Sequence, residues 1–126
     1  MVNETIVIKV GEVYKEIIKE KTSLNLFMLV KMDDFIDKWT LIVAANWVDP
    51  HNLNVTFDYM LSKLRKELSP EEGSQIARVG IFTPHDQLVQ EFTRSVVVAD
   101  SEPIRLVNAQ VNGYKVHEAW IFRSIA

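Results

Sequence analysis

The stretch from Trp39 to Asn52, WTLIVAANWVDPHN, is largely apolar at first and then abruptly polar. Side chains of an extended chain alternate between two faces, and neither face of Trp39–Trp47 carries a charge. A strand that is apolar on both faces is covered on both faces, so this segment is predicted to be a central strand of a sheet. Asp49 is then predicted to cap a helix and Pro50 to occupy its first turn, which places His51 at the junction.

The residues before this strand predict a helix and a second strand. Thr5–Val10 alternates like a strand, but apolar residues three and four positions apart favour a helix over most of Asn3–Lys21. Leu24–Met32 is an almost continuous apolar run and is predicted to be a buried strand. The polar connection Asp33–Lys38 is short, so the two strands are predicted to pair antiparallel.

The residues after the central strand follow the same patterns. A helix is predicted over Leu53–Leu68, and Ser69 is predicted to cap a short helical turn that ends near Gly73. The core stripe of the longer helix is predicted to consist of Phe57, Met60, Leu61, Leu64 and Leu68. Further along, we predict a strand Ile76–Phe82, a helix of about Pro84–Arg94 capped by Thr83, a small strand Val96–Val98 and a loop Asp100–Pro103.

The end of the chain is predicted to be a β-hairpin, because Asn112-Gly113 lies between two alternating runs. A two-residue turn places Val111 opposite Tyr114 and, further along, Asn108 opposite His117. Regular alternation then places Trp120 and Phe122 on the same side as Tyr114. If the last strand lies at the edge of the sheet, these three aromatic residues form an exposed interface.

Taken together, the elements predict an α+β (or α/β) fold. It consists of a single mixed sheet of about five or six strands, with a parallel βαβ unit, a C-terminal β-hairpin and helices packed on the sheet. The length of 126 residues suits a single globular domain that spans 1–126.

Composition narrows the function classes. There is no cysteine, which excludes zinc–thiolate sites and thiol chemistry. The net charge of −3 is spread along the chain, so we expect no nucleic-acid partner. No apolar run reaches the roughly 20 residues of a membrane span, so we expect no membrane partner and a cytoplasmic protein. The four glycines form no phosphate-binding loop, and we expect no cofactor and no metal.

Two turns with a Pro-His sequence are the candidate ligand-binding site. If Trp39–Trp47 and Ile76–Phe82 are parallel neighbours, both turns lie beyond the carboxyl ends of the strands, where ligands bind in open sheets. The side chains at this position would be Asp49, His51, Asn52, Thr83, His85 and Asp86. They could hold a divalent metal, or the two helix N-termini could hold an anion. Equally, these residues serve only as caps and first-turn residues of the helices.

The leading hypothesis is a non-catalytic protein-interaction or self-associating module, whose partner is itself or another protein. Its predicted interface is Tyr114, Trp120 and Phe122. The alternative is a small ligand-binding protein or a metal-dependent hydrolase that uses the two Pro-His turns with His51 and His85. The sequence contains no catalytic motif that decides between an enzyme and a binding protein.

Overall fold

The computed structural model describes residues 4–21, 23–32, 37–99 and 102–126. Its elements are α1 (Glu4–Lys21), β1 (Leu26–Met32), β2 (Trp39–Ala44), α2 (Leu53–Glu67), α3 (Pro70–Gly73), β3 (Ile76–Phe82), α4 (Gln87–Ser95), β4 (Ile104–Val111) and β5 (Tyr114–Ser124). The N-terminal helix is confirmed, and so is the capping box of α3 at Ser69. The predicted connection at 33–36 and the loop at 100–101 lie outside the described residues.

The five strands form one mixed sheet in the order β3-β2-β1-β5-β4. β2 and β3 are parallel, whereas the pairs β1–β2, β1–β5 and β4–β5 are antiparallel. The predicted parallel βαβ unit, antiparallel first pair and C-terminal hairpin are therefore confirmed. Every residue of β2 is buried, as expected for a strand covered on both faces. The small strand predicted at Val96–Val98 is reduced to one bridge between Val98 and Ser124.

Two buried clusters lie on the two faces of the sheet. α1 and α2 cover one face, where Phe27 and Leu29 of β1 point toward them. α4 covers the other face, where Leu26 and Met28 meet Phe92. This division follows from strand alternation, which sends neighbouring residues of β1 into opposite layers. No helix in the described residues is long and apolar enough to cross a membrane.

The hairpin turn is the predicted one, and it is fixed to α4. Asn112 and Gly113 have φ values of 49° and 83°, the left-handed conformation that a two-residue hairpin turn requires. Val111 lies opposite Tyr114. The Asn112 side-chain amide also donates hydrogen bonds to the Glu91 carbonyl and the Ser95 hydroxyl at the end of α4.

One expectation for this hairpin is wrong. β5 is not an edge strand, because it lies between β1 and β4. The predicted register of the hairpin holds on both sides of Asn108, at Val107–Glu118 and Ala109–Val116, although Asn108 itself has a φ of 51°.

The register of β5 with β1 also shifts, between Lys31–Glu118 and Met32–Val116. This shift reverses the alternation along β5. Trp120 therefore packs against the α1 cluster, whereas Tyr114 lies opposite Val111, a residue of the α4 cluster. The prediction that Trp120 shares a face with Tyr114 is wrong for this reason.

Candidate functional site

The first Pro-His turn leaves β2 and reaches α2 through residues 45–52. The Asp49 carboxylate accepts a hydrogen bond from the His51 backbone N–H at 2.9 Å, which closes a local turn. α2 begins only at Leu53, and its N-cap Asn52 makes no side-chain capping bond. The predicted helix start at Leu53 is confirmed. The prediction that Asp49 caps this helix and Pro50 lies in its first turn is wrong, because Asp49 stabilises a turn before the helix rather than the helix itself.

The second Pro-His turn connects β3 to α4. The Asp86 carboxylate accepts a hydrogen bond from the Leu88 N–H at 3.0 Å, so Asp86 is the N-cap and α4 begins at Gln87. Thr83 contributes only its carbonyl oxygen, which accepts from the Asp86 N–H at 3.2 Å. The prediction of Thr83 as the cap is wrong, and Pro84 precedes the helix instead of starting it.

The two turns leave the sheet at the same rim, since Ala44 and Phe82 are partners at the ends of parallel neighbours. His51 and His85 are both exposed. His85 borders a shallow cavity of about 240 Å³ whose lining includes Asn25 and Thr93 but not Asp49, His51 or Asn52. Within the described ranges, no three His, Asp or Glu side chains are grouped so that they could hold a metal ion. Ligand binding by the two turns remains a prediction.

The predicted aromatic interface is divided between core and surface. Phe122 is only 3% exposed and makes an edge-to-face contact with Phe27 at 5.7 Å between ring centroids. Trp120 is half-buried, and the Arg105 guanidinium lies 5.7 Å from its ring centroid. Tyr114 is exposed beside the hairpin turn. The three side chains therefore form no continuous exposed strip, and an interface role for them remains a prediction.

An apolar groove that the sequence did not reveal lies between α2 and β3. It has a volume of about 710 Å³, and we call it the β3 groove. It is lined by Phe57, Leu61, Leu64, Arg65, Leu68, Ser69, Pro70, Gly73, Ile76, Ala77, Arg78 and Val79.

The groove exists because the apolar stripe of α2 is wider than the surface beneath it. Met60, Leu64 and Leu68 are buried as predicted. Phe57, also predicted to be in the core, remains 36% exposed, and Leu61 is half-buried. Both lie on the side of α2 beyond the last strand, where no further strand covers them. The five-residue apolar stripe of α2 was visible in the sequence. That Phe57 and Leu61 are left uncovered depends on the strand order, which was not.

The floor of the groove is an edge strand with a regular backbone. β3 ends the sheet, so alternate N–H and C=O groups point away from β2 and can pair with another strand. From Arg78 to Phe82 its register with β2 is uninterrupted. The only charged residue of this strand is Arg78, whose Nε donates to the Thr40 hydroxyl at 3.0 Å.

The opposite side of α2 is fixed to α1. Lys63 forms ion pairs with Glu16 at 2.8 Å and Glu20 at 2.6 Å, and the Tyr59 hydroxyl donates to Glu20. Hydrogen bonding to Lys63 holds the pKa of both carboxyl groups below the ordinary value of 4.5. Hydrogen bonding to Glu16 and Glu20 raises the pKa of Lys63, and burial is the main cause of a raised pKa at Tyr59. These contacts hold α2 in place, so the groove exists before anything binds.

Comparison with known proteins found no match among family models, curated proteins or solved structures.

Proposed function

We propose that this protein is an interaction module that binds an extended polypeptide segment, its own or another protein's, along β3 and in the β3 groove. The observation that carries this proposal is an apolar groove of about 710 Å³ directly beside a regular edge strand. Each feature alone is common. Together they suit a strand that is added to a sheet, which needs partners for its backbone hydrogen bonds and space for its side chains.

An extended segment has a backbone that forms hydrogen bonds to the sides and side chains that alternate between two faces. The outward N–H and C=O groups of β3 can bind the backbone, which provides affinity without sequence specificity. Alternate side chains of the segment would enter the groove and contact Phe57, Leu61 and Val79, which provides selectivity for apolar residues. The groove volume is within the range of about 300–1,000 Å³ that is typical of pockets for small molecules, so it has room for apolar side chains of the segment.

Selection of displayed peptides tests this proposal. Peptides of about seven residues, the length of β3, would be selected on the protein immobilised at low density, so that molecules on the support cannot pair with each other. We expect enrichment of sequences with alternating apolar residues. Leu61→Lys places a charge in the groove and should weaken their binding at least about tenfold, because the ammonium group must be desolvated or moved.

Ile8→Lys is the matched control. Ile8 lies on α1 and is 66% exposed, so the same change adds the same charge outside the β3 groove. Peptide affinity should be unchanged in this variant. Two results would contradict the proposal: no enriched sequence at all, or binding that Leu61→Lys and Ile8→Lys affect equally. Circular dichroism of both variants would confirm that they are folded.

A further inference from the structure

We infer that the segment that binds along β3 is β3 of a second copy of this chain, related by a two-fold axis perpendicular to the sheet. This inference rests on the proposed function and specifies its partner. Two five-stranded sheets would join into one sheet of ten strands. Three properties of the described residues favour this partner: the sequence of β3, the position of α2 and the charges on the outward side of α2.

Antiparallel pairing makes β3 complementary to itself. With Gly80 opposite Gly80, Val79 of one copy lies opposite Ile81 of the other, and both side chains belong to the layer beneath α2. Arg78 then lies opposite Phe82, so the two Arg78 residues are at opposite ends of the paired segment. Four residues of strand separate them by about 13 Å, which is beyond the screening length of roughly 8 Å at physiological salt. The pairing therefore brings no like charges together.

The position of α2 brings the two helices together across the same axis. The buried residues of α2 join the cluster against which Val79 and Ile81 of β3 pack, so α2 lies on the β3 side of the sheet. The paired β3 strands would be about 4.8 Å apart, and the two α2 helices would lie side by side on one face of the joined sheet. Each copy's Phe57 and Leu61 would fill the open side of the other's groove.

The charges on α2 select an antiparallel arrangement. Asp58 and Arg65 are both exposed, and they are seven residues apart, so they lie within about 20° of each other around the helix. A two-fold axis near Leu61 places Asp58 of each copy beside Arg65 of the other, which gives two attractive pairs. A parallel arrangement of the two helices would place like charges together. Asp58 and Arg65 carry opposite charges and lie on either side of Leu61 along the helix. The outward face of α2 is therefore complementary to a second copy of itself under two-fold symmetry.

The expected dimer is of moderate affinity. One short strand and one face of a four-turn helix from each copy form an interface at the small end of the specific range. We therefore expect a dissociation constant on the order of micromolar. Sedimentation velocity over a concentration series from about 1 to 200 µM, chosen to span that value, should show a concentration-dependent shift from monomer to dimer.

Charge reversal provides the decisive test. Asp58→Arg alone places the introduced arginine of each copy beside Arg65 of the other, and Arg65→Asp alone places two aspartates together. Each variant alone should dimerise at least about tenfold more weakly than the wild type. An equimolar mixture of the two should form a heterodimer with nearly wild-type affinity, because every helix then faces opposite charges again. Both residues are exposed, so neither change should impair folding.

The results separate this inference from the proposed function. A wild-type protein that remains monomeric over the whole concentration series would overturn the inference. A dimer that is insensitive to both charge reversals and to Leu61→Lys would also overturn it, because the contact would then use another surface. In either case, selected peptides that bind wild type but not Leu61→Lys would leave the interaction module intact, with a different protein as its partner. If peptide selection fails as well, both proposals are wrong.

Discussion

The two edges of the sheet, β3 and β4, differ in their backbones more than in their apolar character. β4 has a left-handed residue, Asn108, and an ion pair between Arg105 and Glu118 at 3.0 Å. Both features impede the addition of a strand. Yet β4 also exposes apolar surface, since Ile104 is 41% and Val107 is 51% exposed. Exposed apolar residues therefore do not mark a docking edge by themselves.

β3 differs from β4 mainly in its regular backbone and in the groove beside it. Its ladder is regular from Arg78 to Phe82, and the β3 groove of about 710 Å³ lies next to it. The single charge of each edge strand is bonded within the sheet, Arg78 to Thr40 and Arg105 to Glu118. An edge of this kind promotes aggregation unless it is protected or occupied. β4 is therefore protected by its own structure, whereas β3 keeps a regular edge whose backbone groups face away from the sheet. Peptide selection and charge reversal probe the β3 side directly, and three further predictions concern the protection of β4 and the support of β3.

The largest effect on stability is expected at the turn that holds β4. Asn112→Ala removes two hydrogen bonds to the end of α4 and places alanine at a φ of 49°. The lost hydrogen bonds and the left-handed backbone together should lower the free energy of unfolding by about 2 kcal/mol. Urea denaturation followed by circular dichroism measures this change.

Gly73→Ala is the matched control on the β3 side. Gly73 ends α3, has no positive φ, and no atom lies within 4 Å of the position that a Cβ would occupy. Alanine should therefore be neutral there or slightly stabilising. If Asn112→Ala costs no more than Gly73→Ala, Asn112 does not fix the hairpin to α4.

The hairpin, the parallel pair and the helices could be predicted from the sequence, because the patterns that indicate them are local. Asn112-Gly113 predicts the hairpin through the turn conformation that these residues favour. The two Pro-His turns, which follow two apolar runs with a helix between them, predict the parallel pair. The helices follow from apolar residues at helical spacing.

The features that the sequence did not predict depend on contacts between residues far apart in the chain. The position of β5 between β1 and β4 depends on strand order, which the hairpin alone does not determine. The register shift near His117 was also invisible, and it reverses the faces of the residues on either side. The β3 groove was missed for a related reason: the stripe containing Phe57 and Leu61 predicts burial, and only the edge position of β3 leaves these two residues uncovered.

A smaller effect on stability is expected from Arg105→Val. The ion pair with Glu118 is exposed at the arginine end, so its loss should change the free energy of unfolding by less than about 1 kcal/mol. The loss of the charge should, however, make β4 more prone to pair with a strand of another molecule. We expect weak self-association in a Leu61→Lys background, in which association through β3 is already blocked.

Sedimentation equilibrium of this double variant tests the protective role of Arg105. Lys115→Val in the same background is the control, because it also replaces an exposed positive charge with valine but lies on β5, opposite Gln110, and not on an edge strand of the sheet. Association that is equally strong in the two double variants would show that the change in charge matters and the position on the edge strand does not.

The smallest effect concerns the contacts that hold α2 over β3 from its other side. Glu16 and Glu20 have pKa values below 4.5 in the folded protein, mainly because of hydrogen bonds from Lys63. Their contribution to stability is therefore complete above pH about 4.5 and is lost as the pH falls through the lower folded-state values. The raised pKa of Lys63 has the opposite sign, so its contribution is lost only as the pH rises well above 10.5.

The double variant Glu16→Gln/Glu20→Gln should isolate this contribution. Its free energy of unfolding should be lower than that of the wild type near neutral pH, and the difference should shrink as the pH falls below 4.5. Glu12→Gln is the control, because the Glu12–Lys15 ion pair lies entirely within α1 and does not hold α2. A difference that does not shrink as the pH falls below 4.5 would mean that these carboxylates do not hold α2 in place. The β3 groove would then lack the rigid support that allows it to exist before a partner binds.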